Sequence, residues 1–153
     1  DAAQFAGLLN DLLLSLAKKI VKDGEGATKF VTIEVTGAAS NADAKRAAMA
    51  VANSSLVKTA FFGQDANWGR IIAAVGYSGA EVNPNRVDLY FDDVLMAENG
   101  LAAGGDAEAR GTAVMKNSEF SVTVDLKIGG GKSTVYTSDL SCEYVKINAD
   151  YRT

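Results

Sequence analysis

Apolar residues recur at steps of three and four between residues 4 and 22: Phe5, Leu8, Leu9, Leu12, Leu13, Leu16 and Ile20. That period predicts an amphipathic helix. Lys18, Lys19 and Lys22 fall in its last turns, where cations complement the negative end of the helix dipole, and Gly24 provides a stop. The apolar stripe is wide for a helix that opens a sequence. The expectation is that it packs on material preceding Asp1 in a longer parent protein. The period then drops to two. Over 28–36, Phe30 and Thr32 face one way and Val31, Ile33 and Val35 the other, which predicts a strand ended by Gly37. Ser40 or Asn41 can cap an alanine-rich helix over about 42–53, whose Ala44, Ala47, Ala48 and Val51 allow close approach to a sheet.

Residues 56–62, Leu-Val-Lys-Thr-Ala-Phe-Phe, are expected to form the next strand. The loop from Gly63 to Asn67 leads into a helix from Trp68 to about Val75, and Gly79, Asn83, Pro84 and Asn85 mark a further loop. Val87, Leu89 and Phe91 alternate as a strand. Asp92-Asp93 reads as a turn, Val94-Leu95-Met96 as a short partner strand, and Asn99-Gly100 as the next turn. A helix is expected over 106–116. Phe120, Val122, Val124 and Leu126 alternate strictly, as do residues 133–137, and Gly129-Gly130-Gly131 between them predicts a hairpin. The tail, 139–153, is expected as a short helix or an irregular packed end. The fold class predicted is α+β: helices packed on a mixed sheet with a C-terminal β-hairpin over 27–153, preceded by a helix and loop over 1–26.

Composition narrows the function classes. With 153 residues, 48% of them hydrophobic and 22% charged, and one proline, the chain can bury one ordinary core. Its net charge is −4 and no basic stripe is visible, which argues against a nucleic-acid partner. The single cysteine, Cys142, cannot form an internal disulfide, in keeping with a reducing, cytoplasmic setting. No apolar run reaches the roughly 20 residues needed to span a bilayer, so no membrane partner is expected. No signal-peptide pattern opens the sequence. It begins with Asp1 rather than Met, and is expected to be processed or cut from something larger. Histidine is absent. Neither a Ser-His-Asp triad nor a His-based zinc site can be assembled from these residues, so any catalytic base is another group or comes from elsewhere.

Four segments carry candidate chemistry. Gly129-Gly130-Gly131-Lys132-Ser133-Thr134 looks like the end of a phosphate loop, but the pattern needs glycine where Leu126 stands, and a helix after the lysine where alternation predicts a strand. A turn is the better reading. Asp23-Gly24-Glu25-Gly26-Ala27-Thr28-Lys29 brackets one carboxylate with glycines, which could aim Glu25 into a cleft or simply stop a helix. Gly63-Gln64-Asp65-Ala66-Asn67-Trp68-Gly69-Arg70 could serve a ligand or cap a helix. The tail Asn148-Ala149-Asp150-Tyr151-Arg152-Thr153 is dense in polar groups for a terminus.

Taken in order, Asp23 to Phe30, Val51 to Ser54 with Leu56 to Ala60, Gly63 to Asp65 with Asn67 to Arg70, and Tyr144 to Thr153 resemble the ornithine acetyltransferase (glutamate N-acetyltransferase) family of arginine biosynthesis. The resemblance covers essentially the whole chain. It implies the C-terminal part of the second (beta) chain of a two-chain fold, made from a precursor that cuts itself. The cut frees a threonine whose hydroxyl is the nucleophile and whose own amine is the base, an arrangement that needs no histidine. Acetyl passes from N-acetylornithine to that threonine and then to glutamate. No cofactor is implied, with acetyl-CoA a possible co-substrate, and no metal. The family's nucleophilic threonine, the Ser-Thr-Asn-Asp segment after it and the oxyanion-stabilising residues do not occur in this sequence. Thr28, Thr59 and Thr112 are internal and lack a free amine, so no catalytic residue is expected among these 153.

Substrate binding is what carries over. Glu25, Asn148 and Thr153 match family positions that line the amino-acid site. The chemistry is reasonable: a carboxylate suits an α-ammonium group, while amide and hydroxyl groups can hold a carboxylate. The partners implied are the alpha chain and the N-terminal part of the beta chain of the same precursor, in an assembly with two copies of each chain, and the small molecules ornithine, N-acetylornithine and glutamate. The Gly63–Arg70 loop keeps its structural reading. Two other readings stand beside this one: a catalytically silent structural or assembly domain, and a secondary-metabolism relative with another acyl acceptor.

Overall fold

The alternation from residue 28 onward produces the central strand of a six-stranded sheet. In a computed structural model, which describes residues 1–151, strand β1 (Phe30–Ala38) buries Val31, Ile33 and Val35 completely. The other strands are β2 (Asp88–Phe91), β3 (Val94–Glu98), β4 (Leu101–Ala102), β5 (Glu119–Asp125) and β6 (Gly131–Ser138). Their order is β4-β3-β2-β5-β1-β6. β1 and β5 run parallel, and every other pairing is antiparallel. Six helices accompany the sheet among the described residues: α1 (Ala2–Lys22), α2 (Asn41–Asn53), α3 (Ser55–Gly63), α4 (Trp68–Gly76), α5 (Ala107–Met115) and α6 (Cys142–Asp150). The α+β class and mixed sheet agree with the sequence reading.

The core lies between the sheet and the helices that follow β1. Ser40 caps α2 by accepting from the Asp43 amide at 3.1 Å. Ala44, Ala47, Ala48 and Val51 then bury one α2 face completely against β1 and β6. Their small side chains let the helix axis come close to the strands. Phe61 of α3 meets Phe120 of β5 edge-on at 5.4 Å between ring centroids. Leu89, Phe91, Val122, Val124, Ile71, Val75 and Met115 complete one continuous cluster.

Three expectations are corrected. Residues 56–62 form a helix, not a strand. Ser54 caps it, accepting from the Val57 amide at 3.4 Å, and Val57, Ala60 and Phe61 form its buried stripe at helical spacing. A short apolar run satisfies both periods, and the capping serine decides between them. The second correction concerns the C-terminal β-hairpin. β5 and β6 are both strands, but β1 lies between them. The connection after β5 crosses the end of β1, donating from Leu126 N to Thr36 O at 3.0 Å and from Ile128 N to Gly37 O at 2.7 Å. Glycine is needed because the backbones touch: a methyl carbon built on Gly129 would stand 2.7 Å from Ala38 O. β1 also continues through Gly37, in positive φ at a register shift, rather than ending there.

Helix α1, like α6, has no buried residue. Phe5 (67% exposed), Leu8 (64%) and Leu12 (56%) present its apolar face outward. Its last turns lie over the stacked rings of Phe30 and Tyr136, with Lys22 Nζ 4.9 Å from the first and Lys18 Nζ 5.0 Å from the second. Such exposed contacts contribute about 0.5–1 kcal/mol each, and the Lys22–Glu119 pair at 2.6 Å about 0–1 kcal/mol. Burying one Val or Ile contributes about 1.5–3 kcal/mol. The sheet core, not α1, therefore carries the stability. Among the described residues no helix is long and apolar enough to cross a membrane.

Asp88, at the start of β2, joins the far side of the sheet. Its Oδ1 accepts from the Asn99 amide at 2.8 Å and pairs with Lys127 Nζ at 2.6 Å. Burial opposes ionisation, but the Lys127 ammonium and the Asn99 N–H together hold the carboxyl below its ordinary 3.8. A depressed acid stabilises the fold above its unfolded-state value of about 3.9, and that contribution is lost as pH falls through the lower folded value. We predict that Asp88→Asn lowers stability at pH 7 and that the deficit shrinks as pH falls below about 4. Urea unfolding of both proteins at pH 7 and pH 3 checks this, and a deficit independent of pH contradicts it.

Candidate functional site

The loop after α1 and the segment after β6 are sewn together by side chains far apart in sequence. Asp139 is buried, and its carboxylate accepts from Thr28 N at 2.8 Å, Thr28 Oγ1 at 2.5 Å and Lys29 N at 2.9 Å. Ser141, also buried, caps α6 by accepting from Tyr144 N at 3.2 Å, and donates through Oγ to Gly26 O at 2.6 Å. Gly26 has a φ of +64°, and a methyl carbon there would stand 2.6 Å from Tyr144 N. Only glycine allows this turn and this approach together.

The consequence is a meeting of two of the residues singled out in the sequence. Asn148 Nδ2 donates to Glu25 Oε2 at 3.1 Å, and also to the Tyr144 carbonyl one helical turn back at 2.9 Å. Both Glu25 and Asn148 are exposed. The third residue, Thr153, lies outside the described residues. The tail that the sequence left open as helix or irregular end forms α6.

Glu25 stands at the edge of a cavity of about 350 Å³, with Asn53, Ser55, Lys58, Asp139 and Tyr144 among its walls. That is the size of a small-ligand site. Lys58, in α3, is half-buried. Its Nζ donates to Thr137 Oγ1 at 3.3 Å and to Ser138 Oγ at 3.5 Å. Burial pushes its pKa down from the ordinary 10.5, partly opposed by the charge of Asp139. Among the described residues no carboxylate oxygen lies within 4.0 Å of this ammonium. Neither Lys58 nor Asp139 was singled out for site chemistry in the sequence. A lysine placed in an expected strand has no visible relation to Glu25, and Asp139 sits in a Ser-Asp-Leu-Ser run that reads as a turn.

The two other segments have structural roles. Asn67 caps α4, accepting from Arg70 N at 3.2 Å, while its Nδ2 donates to Asp65 Oδ2 at 3.1 Å. Arg70 Nη1 donates to Leu56 O at 2.8 Å, tying α4 to α3, and Trp68 packs on the core. The loop Gly129–Thr134 crosses β1 and enters β6, with no helix behind it to direct amides at a phosphate.

A family model described as the ArgJ family matches residues 1–153. The chain is 74% identical over 152 residues to the arginine biosynthesis bifunctional protein ArgJ of Geobacter sulfurreducens, covering 99% of this chain and 39% of that protein. It is 60% identical over 153 residues to the protein of the same name from Syntrophotalea carbinolica, covering 100% and 39%. The crystal structure of arginine biosynthesis bifunctional protein ArgJ from Bacillus halodurans superposes with a TM-score of 0.93 at 43% identity, over 97% of this chain and 70% of that one. The chain thus spans 39% of the length of these curated relatives.

The clamp on α6 is testable. Gly26→Ala places an L residue in positive φ, at a cost of about 1–2 kcal/mol, and drives its methyl into the Tyr144 amide. Exchange of the α6 amide hydrogens in the full-length protein is expected to speed up by about tenfold or more. Gly63→Ala, which meets nothing within 4 Å, is expected to leave it unchanged. Equal exchange in both variants contradicts the clamp.

Proposed function

The chain belongs to the ArgJ family, and we propose that it supplies walls of the amino-acid pocket in an enzyme that moves acetyl from N-acetylornithine to glutamate in arginine biosynthesis. The observation that carries this reading is the contact of Asn148 with Glu25, a residue 123 positions away in sequence that lines the cavity. In this reading Glu25 holds the α-ammonium group of ornithine or glutamate, and Asn148 orients the Glu25 carboxylate while offering its amide oxygen to the ligand. Thr153, outside the described residues, is assigned to the same pocket by its match to the family position.

The acyl carrier is a threonine outside residues 1–153. Its hydroxyl attacks the acetyl carbonyl of N-acetylornithine while its own amine takes the proton. The amide C–N bond breaks and ornithine leaves with that proton. The amine of glutamate then attacks the acetyl ester, breaking its C–O bond so that N-acetylglutamate leaves and the proton returns to the threonine hydroxyl. Residues 1–153 bind and orient, and exclude water from one side of the pocket. The description of the relatives as bifunctional supports a second acetyl donor, for which acetyl-CoA is our assignment, with no bound cofactor. The exposed apolar face of α1 supports an assembly in which that helix packs on the rest of the full-length protein, the alpha chain and the N-terminal part of the beta chain, with two copies of each chain. The setting we assign is the cytoplasm.

Glu25→Ala in the full-length protein is expected to lower kcat/KM for transfer from N-acetylornithine to glutamate by about 10- to 150-fold. That corresponds to the roughly 1.5–3 kcal/mol of a hydrogen bond to a charged group. Steady-state kinetics decide it, and wild-type values in the variant sink the assignment of Glu25.

A further inference from the structure

We infer that Lys58 is the cationic post of this cavity and receives the α-carboxylate of the amino-acid substrate, a specificity role that rests on the pocket reading above. The Lys58 ammonium lacks strong partners among the described residues. It offers three hydrogens, and its neighbours are two neutral hydroxyls at 3.3 and 3.5 Å, at or beyond the length of good hydrogen bonds. Half-buried, it has given up part of its hydration, yet no carboxylate oxygen among the described residues lies within 4.0 Å. Asp139 is near enough to act on it electrostatically, but the Asp139 oxygens are taken by Thr28 and Lys29. An unpaired, partly desolvated cation is costly until an anion reaches it.

Lys29 shows what a structural lysine looks like in the same fold. It is buried, and its Nζ donates to Asn117 O at 3.0 Å and Lys116 O at 3.4 Å, the carbonyls at the end of α5. Among the described residues no carbonyl accepts from the Lys58 ammonium, and Lys58 lines the cavity. Glu25 lines the same cavity and carries the opposite charge. A pocket of amino-acid size with an anion and a cation both among its lining residues fits a ligand carrying both charges. Ser55, in the first turn of α3, also faces the cavity, so the positive end of that helix adds to the polarity set by Lys58. N-acetylornithine and glutamate share one anionic group, the α-carboxylate, and a single cation on the pocket wall serves both through it.

The test compares N-acetylornithine with its α-carboxamide as acetyl donors to the full-length enzyme at fixed glutamate. The wild type is expected to prefer the carboxylate in kcat/KM by about tenfold or more. In Lys58→Met the preference falls to within about twofold, through a raised KM for the acid, while Lys58→Arg retains a preference. Lys58→Gln, which keeps a polar contact to Thr137 and Ser138, gives the same readout should the Met variant fold poorly. A lysine that only props up β6 would lower activity toward both donors equally. An unchanged ratio in the neutral variants, or no preference in the wild type, overturns the assignment. Glu25→Gln, measured in parallel, separates the two levels. If it is impaired while the Lys58 variants keep the wild-type ratio, the role of Lys58 alone is wrong. If it is fully active, the pocket reading itself has failed and Lys58 falls with it.

Discussion

The buried carboxylate of Asp139 joins regions of the chain that lie 110 and 111 residues apart. A carboxylate removed from water needs donors, and here three are supplied by Thr28 and Lys29. Those bonds fix the path of the chain into β1, and therefore the loop just before it. Ser141 adds a second stitch to Gly26, while capping the helix that carries Asn148. Without the two stitches, an exposed glutamate on a glycine-rich loop and an exposed asparagine on a terminal helix would have no reason to meet. The position of the site is set by a buried polar network, and the residues facing the cavity can stay exposed because others carry the cost of ordering them.

Charge divides cleanly around that network. Asp139 turns inward and is hydrogen-bonded by backbone and hydroxyl. Glu25 turns outward, with one amide as partner. Lys58 lines the same cavity, partly desolvated, and among the described residues its ammonium donates only to hydroxyls. A close approach of Lys58 to Asp139 would neutralise both within the protein and leave the cavity without a cation. The three donors on Asp139 keep that carboxylate engaged elsewhere, so the ammonium remains available.

Most of the scaffold was legible because period and caps agree. The alternation around Val31, Ile33 and Val35 marks β1, the alanines from Ala44 to Ala48 mark a helix against a sheet, and Asn67 marks the start of α4. The failures have definite causes. Residues 56–62 satisfy both periods, and only the cap at Ser54 separates helix from strand. Strict alternation establishes that β5 and β6 are strands but says nothing about partners. Three glycines between strands serve a close crossing over Ala38 as well as they serve a hairpin. At the site, Glu25 and Asn148 were visible only through a resemblance. Asp139 and Lys58 have no local signature, because what matters about each is a contact made across the fold.

The central claim is that the cavity beside Glu25 and Asn148 is the place where an amino acid sits. A crystal structure of the full-length protein with ornithine bound tests it most directly. The ligand is expected in that cavity, with its α-ammonium group within hydrogen-bonding distance of the Glu25 carboxylate. An ordered ligand elsewhere on the protein, with this cavity unfilled, would contradict it.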